Sequence, residues 1–184
     1  MLDTPQKLPY HARMSNYFEL LGLTPSFALN VKVLEQAYFT AQRATHPDRF
    51  IGKGEAERVA AVTRSQLVND AYDTLKNPLT RAEHLLELQN IHALSDDAVV
   101  PPAILAEMME LRERIFDNGD NGAALAGVVN EIKTLAAANE KELTQAFDVA
   151  DYKHATYETI RLQYLGKAME EAHMLIYRLK AAHG

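Results

Sequence analysis

Apolar residues along the chain recur at three- and four-residue spacings, and no alternating stretch bounded by turn residues stands out. A short first helix carries Tyr17, Phe18, Leu20 and Leu21, with Ser15 as its cap and Gly22 as its stop. Asn30 caps a second helix with Val31, Leu34, Tyr38, Ala41 and Gln42 on one side. Pro47 ends it, because the residue before a proline avoids the α region. A polar loop over 46–55 leads to a third helix over 55–76, carrying Val59, Val62, Leu67, Ala71 and Leu75. After Asn77-Pro78, residues 79–89 form a further short helix with Leu79, Ala82, Leu85 and Leu86. A loop without period runs to Pro101-Pro102.

Three longer helices follow. The first, over 102–116, holds Ile104, Leu105, Met108, Met109, Leu111, Ile115 and Phe116. The second, over 121–147, holds Leu125, Val128, Ile132, Leu135, Asn139 and Leu143. The third, over 151–179, repeats Leu162, Leu165, Met169, Ala172, Ile176 and Leu179. This is the spacing of bundle packing, and the fold class is all-α.

The 102–116 helix has more apolar surface than one seam needs. At about 100° per residue, Ile104, Met108, Leu111 and Ile115 form one stripe. Leu105, Met109 and Phe116 form another, roughly 100° round, with Arg112 alongside. Two arrangements account for that: a helix buried between two neighbours, or one buried stripe and one free for a partner.

Composition narrows the function classes. The 184 residues are 47% apolar and 24% charged, enough for a packed core. No cysteine is present, which excludes disulfides, thiolate metal sites and a cysteine nucleophile. The formal charge of −6 opposes a general attraction to nucleic acid. It is unevenly distributed: residues 1–80 hold 9 Lys/Arg against 8 Asp/Glu, and residues 81–184 hold 10 against 17. Such asymmetry points to two units with different partners. No run approaches the roughly 18 apolar residues of a membrane span, and the first residues lack the apolar core of a secretory signal. A cytoplasmic protein with a loose N-terminal arm over 1–14 is the expectation.

No catalytic or metal-binding pattern emerges. The seven histidines include no i, i+4 pair, and Glu83-His84 and Glu171–His173 read as surface pairs. Gly52-Lys53-Gly54 lacks the serine or threonine and the preceding strand of a phosphate loop. Neither a metal nor a cofactor is expected.

One motif remains. His46-Pro47-Asp48 sits between two amphipathic helices. Taken alone it reads as a helix stop, since proline ends helices and aspartate caps them. Its context decides. Tyr17-Phe18-x-Leu20-Leu21-Gly22-Leu23 precedes it, Tyr38 and Arg43 lie on the helix before it, and Arg49-Phe50 follow. Asn69-Asp70-Ala71-Tyr72-x-x-Leu75, Pro78 and Arg81 come next. This order and spacing resemble the J-domain. The resemblance implies a helical hairpin over 15–80 that docks on an Hsp70 chaperone and stimulates its ATPase. The implied contacts are His46, Pro47 and Asp48, with Lys32, Arg43 and Arg49 as the basic face. Residues 30–53 carry a net charge of only +2, which is thin for that face.

The rest of the chain narrows the resemblance. Asn77–Leu88 leads directly into a helical unit containing Pro101–Ile115, with no glycine-rich linker. Together the segments resemble the HscB-type J-domain co-chaperones of iron–sulfur cluster assembly. That resemblance implies a connecting helix and loop over 81–100 and a C-terminal three-helix bundle over 101–184. It also implies an HscA-type Hsp70 and an IscU-type scaffold as partners, and no enzymatic activity in this chain. The scaffold contacts it implies are Leu105, Ala106, Met109, Glu110, Arg112, Glu113 and Tyr164. Nucleic acid and membrane are not expected partners. The principal alternative is a J-protein carrying a different client. A helical nucleic-acid-binding module using the 43–58 loop and an enzyme of unknown type stand further off.

Overall fold

The computed structural model describes residues 16–182. The expected arm and Ser15 lie outside them. Among the described residues the regular elements are all helical: α1 Tyr17–Leu20, α2 Val31–Thr45, α3 Glu55–Lys76, α4 Pro78–Glu87, α5 Pro102–Asp117, α6 Gly122–Asp148 and α7 Tyr152–Ala182. A 3-10 turn, Pro47–Phe50, occupies the loop after α2. The described residues divide into two compact units, one of 16–25 together with 29–76, the other of 26–28 together with 77–182. Helix α4 falls in the second unit.

Helix starts follow local chemistry. Asn16 caps α1, its side chain accepting from the amides of Phe18 and Glu19. Asn30, Asn77 and Asn121 cap α2, α4 and α6 in the same way. Gly22 closes α1 at φ +68°, a left-handed conformation that glycine adopts without a Cβ penalty. The Leu23 amide then donates back to the Phe18 carbonyl at 2.8 Å.

In the first unit α2 and α3 form a hairpin on a core of Phe18, Leu34, Val68, Ala71 and Leu75, all buried. Polar and aromatic contacts clasp it. Tyr38 stacks on Tyr72 at 4.4 Å and its hydroxyl donates to Asn69 at 3.1 Å. Gln42 also donates to Asn69 and accepts from Ser65. Val59 and Val62, placed on the apolar row of α3 by spacing, are instead exposed. The inward positions of that first stretch of α3 are taken by Ala61 and, further on, Val68.

The second unit is built around α5, α6 and α7. Ile104, Met108, Leu111 and Ile115 of α5 meet Leu125, Val128, Val129 and Ile132 of α6. Ile160, Leu165, Ala168 and Ala172 of α7 complete that core. Arg161 donates through two guanidinium nitrogens to Glu107 at 2.8 and 2.6 Å. Arg112 pairs with Glu171 at 3.3 Å. Both pairs advance together along α5 and α7, so these helices run parallel. Asn139, on the apolar row of α6, is fully buried and donates to the Glu158 carbonyl at 3.0 Å and carboxylate at 2.5 Å. Glu158 also faces Arg161 at 3.6 Å. The carboxylates beside Arg161, Glu107 first, hold its guanidinium well above the ordinary arginine range.

His84, expected at the surface, is only 2% exposed. Its position on α4 turns it inward with Leu85 and Leu86, because α4 packs on α7 and not on solvent alone. Arg81 is buried as well and lies 4.9 Å over the Phe27 ring, which stacks on Phe147 at 5.7 Å.

Burial holds the His84 imidazole below its ordinary value of 6.5. Protons bind the unfolded chain more readily than the folded one, so stability is full above about 6.5 and falls as the pH drops through the window beneath it. Burial pushes the Glu83 and Glu87 carboxyls above 4.5, which acts in the opposite sense at the acidic end. Thermal unfolding followed by circular dichroism is expected to show a midpoint that declines on acidification from neutral pH. His84→Gln is expected to lower the midpoint overall while making that decline shallower; an unchanged slope would assign it to other groups.

Candidate functional site

Two surfaces carry the residues singled out by sequence. The first is the turn after α2. His46 adopts φ −58° and ψ 129°, the extended conformation that a following proline imposes. Pro47 starts the 3-10 turn, whose first amide hydrogen would otherwise lack a helical acceptor. The His46 Nδ1 accepts from the Asp48 amide at 3.3 Å and lies 3.5 Å from the Asp48 carboxylate. The Asp48 side chain is 77% exposed. The ring thus braces the turn, and the carboxylate is left facing solvent. A carboxylate in that setting is a ready acceptor for a guanidinium from outside.

The flanking cations are exposed. Arg49 donates to the Arg43 carbonyl at 3.0 Å, closing the end of α2. Lys32 and Arg43 are eleven residues apart on α2, which returns them to one face within about 20°. The structure therefore gathers Arg43, His46, Asp48 and Arg49 around the turn and places Lys32 at the far end of the same face. Sequence reasoning missed Phe39, which stands between Lys32 and Arg43 on that face and is 58% exposed. The same helical arithmetic applied to α2 would have found it.

The second surface is the outer face of α5. The core stripe is buried, whereas Leu105, Met109 and Phe116 are exposed, Met109 by 65% and Phe116 by 83%. Of the two arrangements open to this helix, the structure has one buried stripe and one free. Ala106, Glu110, Arg112 and Glu113 are exposed beside it. Tyr164 and Glu171, seven residues apart, share a stripe of α7. Glu171 pairs with Arg112 of α5, and Tyr164 stands two turns before it on that stripe. Its ring is half-buried against the core, with the Lys167 ammonium 4.8 Å from the ring centroid.

Among the described residues no three His, Asp or Glu side chains converge as metal ligands would. No described helix is long and apolar enough to cross a membrane.

Comparison with known proteins supplies the family. Residues 100–173 match the model of the HSCB C-terminal oligomerisation domain. The chain is 33% identical over 168 residues to the co-chaperone protein HscB of Proteus mirabilis, covering 89% of this chain and 97% of that one. The chain belongs to the HscB co-chaperone family. Its fold is similar to the chaperone HscB from Vibrio cholerae, with TM-score 0.78 and 32% identity over 89% of this chain and 99% of that one. It is also similar to the human co-chaperone protein HscB, with TM-score 0.79 and 26% identity over 95% of this chain and 84% of that one. The solved HscB structures thus match both the hairpin and the bundle, and HscB membership covers both surfaces rather than the C-terminal half alone.

The two stripes of α5 are separable by stability. Ile104→Ala is expected to cost about 3 kcal/mol in urea unfolding, because it empties a fully buried position. Leu105→Ala, one residue on, is expected to cost less than about 1 kcal/mol. Equal losses would mean that both stripes are core.

Proposed function

We propose that this chain is a bipartite co-chaperone. The turn at His46, Pro47 and Asp48, with Lys32, Arg43 and Arg49, docks on an HscA-type Hsp70 and stimulates its ATPase. The face of Leu105, Ala106, Met109, Glu110, Arg112 and Glu113, together with Tyr164, holds an IscU-type iron–sulfur scaffold. In this reading residues 15–80 act as a J-domain, 81–100 connect, and 101–184 form the scaffold-binding bundle. The observation that carries it is the solvent-facing Asp48 carboxylate on a proline-stiffened turn in a chain of this family.

The chemistry of each surface suits its role. A stiff turn loses little conformational freedom on binding, so the ion pair formed by Asp48 is not offset by ordering the loop. ATP hydrolysis takes place on the Hsp70, and this chain supplies contacts only. On α5, Leu105 and Met109 offer apolar area and Met109 adapts to its partner's shape. Glu110, Arg112 and Glu113 form a charged rim that fixes orientation. Ala106 contributes little area. With no cysteine in the chain, the cluster stays on the scaffold's own ligands. Holding Hsp70 and scaffold on one chain raises the effective concentration of each at the other.

Two measurements test this. Asp48→Ala is expected to abolish stimulation of the Hsp70 ATPase while the helical signal and unfolding midpoint stay as in the parent chain. Full stimulation by the variant would remove the turn from the mechanism. Leu105→Ala combined with Met109→Ala is expected to weaken scaffold binding by about a hundredfold, from the loss of two apolar contacts. Unchanged scaffold affinity would put the client elsewhere on the chain, or identify a different client.

A further inference from the structure

Phe39 stands outside the core of the hairpin, its ring tilted against that of Tyr38 at 5.4 Å. Its neighbour Tyr38 does the packing, stacked on Tyr72 and bonded to Asn69. Phe39 points outward, 58% exposed, on the α2 face that Lys32 and Arg43 define. The three residues lie within about 40° around the helix, and Lys32 and Arg43 are roughly 16 Å apart along it. Glu35, the one acidic residue of α2, is half-buried and about 60° round from Lys32. At the C-terminal end of this face, Phe39, Gln42, Arg43, His46 and Arg49 line a shallow cleft. The cleft reaches the turn itself through His46. Arg49 is held against its rim by the hydrogen bond to the Arg43 carbonyl.

We propose that Phe39 is the principal anchor of α2 in the Hsp70 complex, so that this face binds mainly through apolar burial, with charge in a supporting role. The inference rests on the Hsp70 reading above and deepens it. The partner surface that fits is an apolar recess rimmed by carboxylates: the recess takes the Phe39 ring, and the rim meets Lys32, Arg43 and Arg49. The magnitudes favour the ring. Exposed cations on a surface each contribute less than about 1 kcal/mol and are screened by salt. Burying a phenylalanine ring contributes more, and buried aromatic rings recur among the dominant residues of interfaces. A segment with a net charge of only +2 that still docks needs such a term.

The test is the Hsp70 ATPase titrated with this chain at low and at high salt, with Asp48→Asn as the reference for loss of the turn. Phe39→Ala is expected to raise the half-saturating concentration at least about tenfold and to leave stimulation at saturation intact. Phe39→Leu, which keeps most of the apolar area, is expected to stay within about threefold of the parent. Lys32→Ala is expected to shift it by about twofold, and high salt to shift the parent only slightly. The helical signal of each variant reports folding; Phe39→Gln stands in for Phe39→Ala if the latter is destabilised.

The inference is overturned if Phe39→Ala and Phe39→Gln titrate like the parent while Asp48→Asn is inactive, a result that leaves the Hsp70 reading standing. It is equally overturned if Phe39→Ala alters only scaffold affinity or only self-association by sedimentation, since the ring then serves another partner. Absence of stimulation by the parent chain would instead remove the Hsp70 reading itself.

Discussion

A helix packed against two neighbours in a bundle buries one stripe, and the rest of its circumference must face water or a partner. In the second unit that constraint falls on α5. Ile104, Met108, Leu111 and Ile115 are committed to the core, each contributing roughly 1.5–3 kcal/mol by burial. Every other property of α5 follows from that commitment. Leu105, Met109 and Phe116, one position further round, cannot also turn inward. Charged pairs to both neighbours then fix the rotation of the helix: Arg114 bonds Glu131 at 2.6 and 2.7 Å on α6, and Glu107 and Arg112 meet Arg161 and Glu171 on α7. A helix held on two sides in this way presents its outer face at a defined angle, which a docking surface requires.

In the same unit, buried Asn139 and Glu158 form a polar network that Arg161 joins from the edge of the core. Buried polar groups are costly unless bonded, and here each bond also fixes position. Asn139 on α6 reaches both the backbone and the carboxylate of Glu158 on α7, which permits one register between those helices. Arg161 carries that register on to α5 through Glu107. The apolar stripes make association favourable, and the polar network selects a single alignment.

The first unit applies the same economy to a hairpin. Tyr38 and Gln42 on α2 engage Asn69, Ser65 and Tyr72 on α3, and this clasp leaves the opposite face of α2 free. Pro47 then stops α2 where His46 can brace the next residue. The outcome is an exposed carboxylate on a rigid turn beside an exposed aromatic ring. The two units thus offer surfaces of different character: one joins an acid to scattered cations and a single ring, the other an apolar stripe with a charged rim. This agrees with the near-neutral first part of the chain and the acidic remainder.

The helices, the asparagine cap at 30, the stop at Pro47 and the family were legible from sequence, because caps, prolines and heptad-like spacing act locally. The core stripe of α5 was legible for the same reason. Local pattern could not decide whether the second stripe was covered, because that depends on how many neighbours surround α5. Nor could it place His84 and Arg81 inside, since their burial comes from α7 and Phe27, distant in the chain. Val59 and Val62 lay on a plausible apolar row but face water, because the line along which α3 meets α2 is set by tertiary packing. Sequence by itself determined which segments are helical and where they end. Only the tertiary structure decided which face of each helix stays exposed, because exposure is a property of the neighbours and not of the residue.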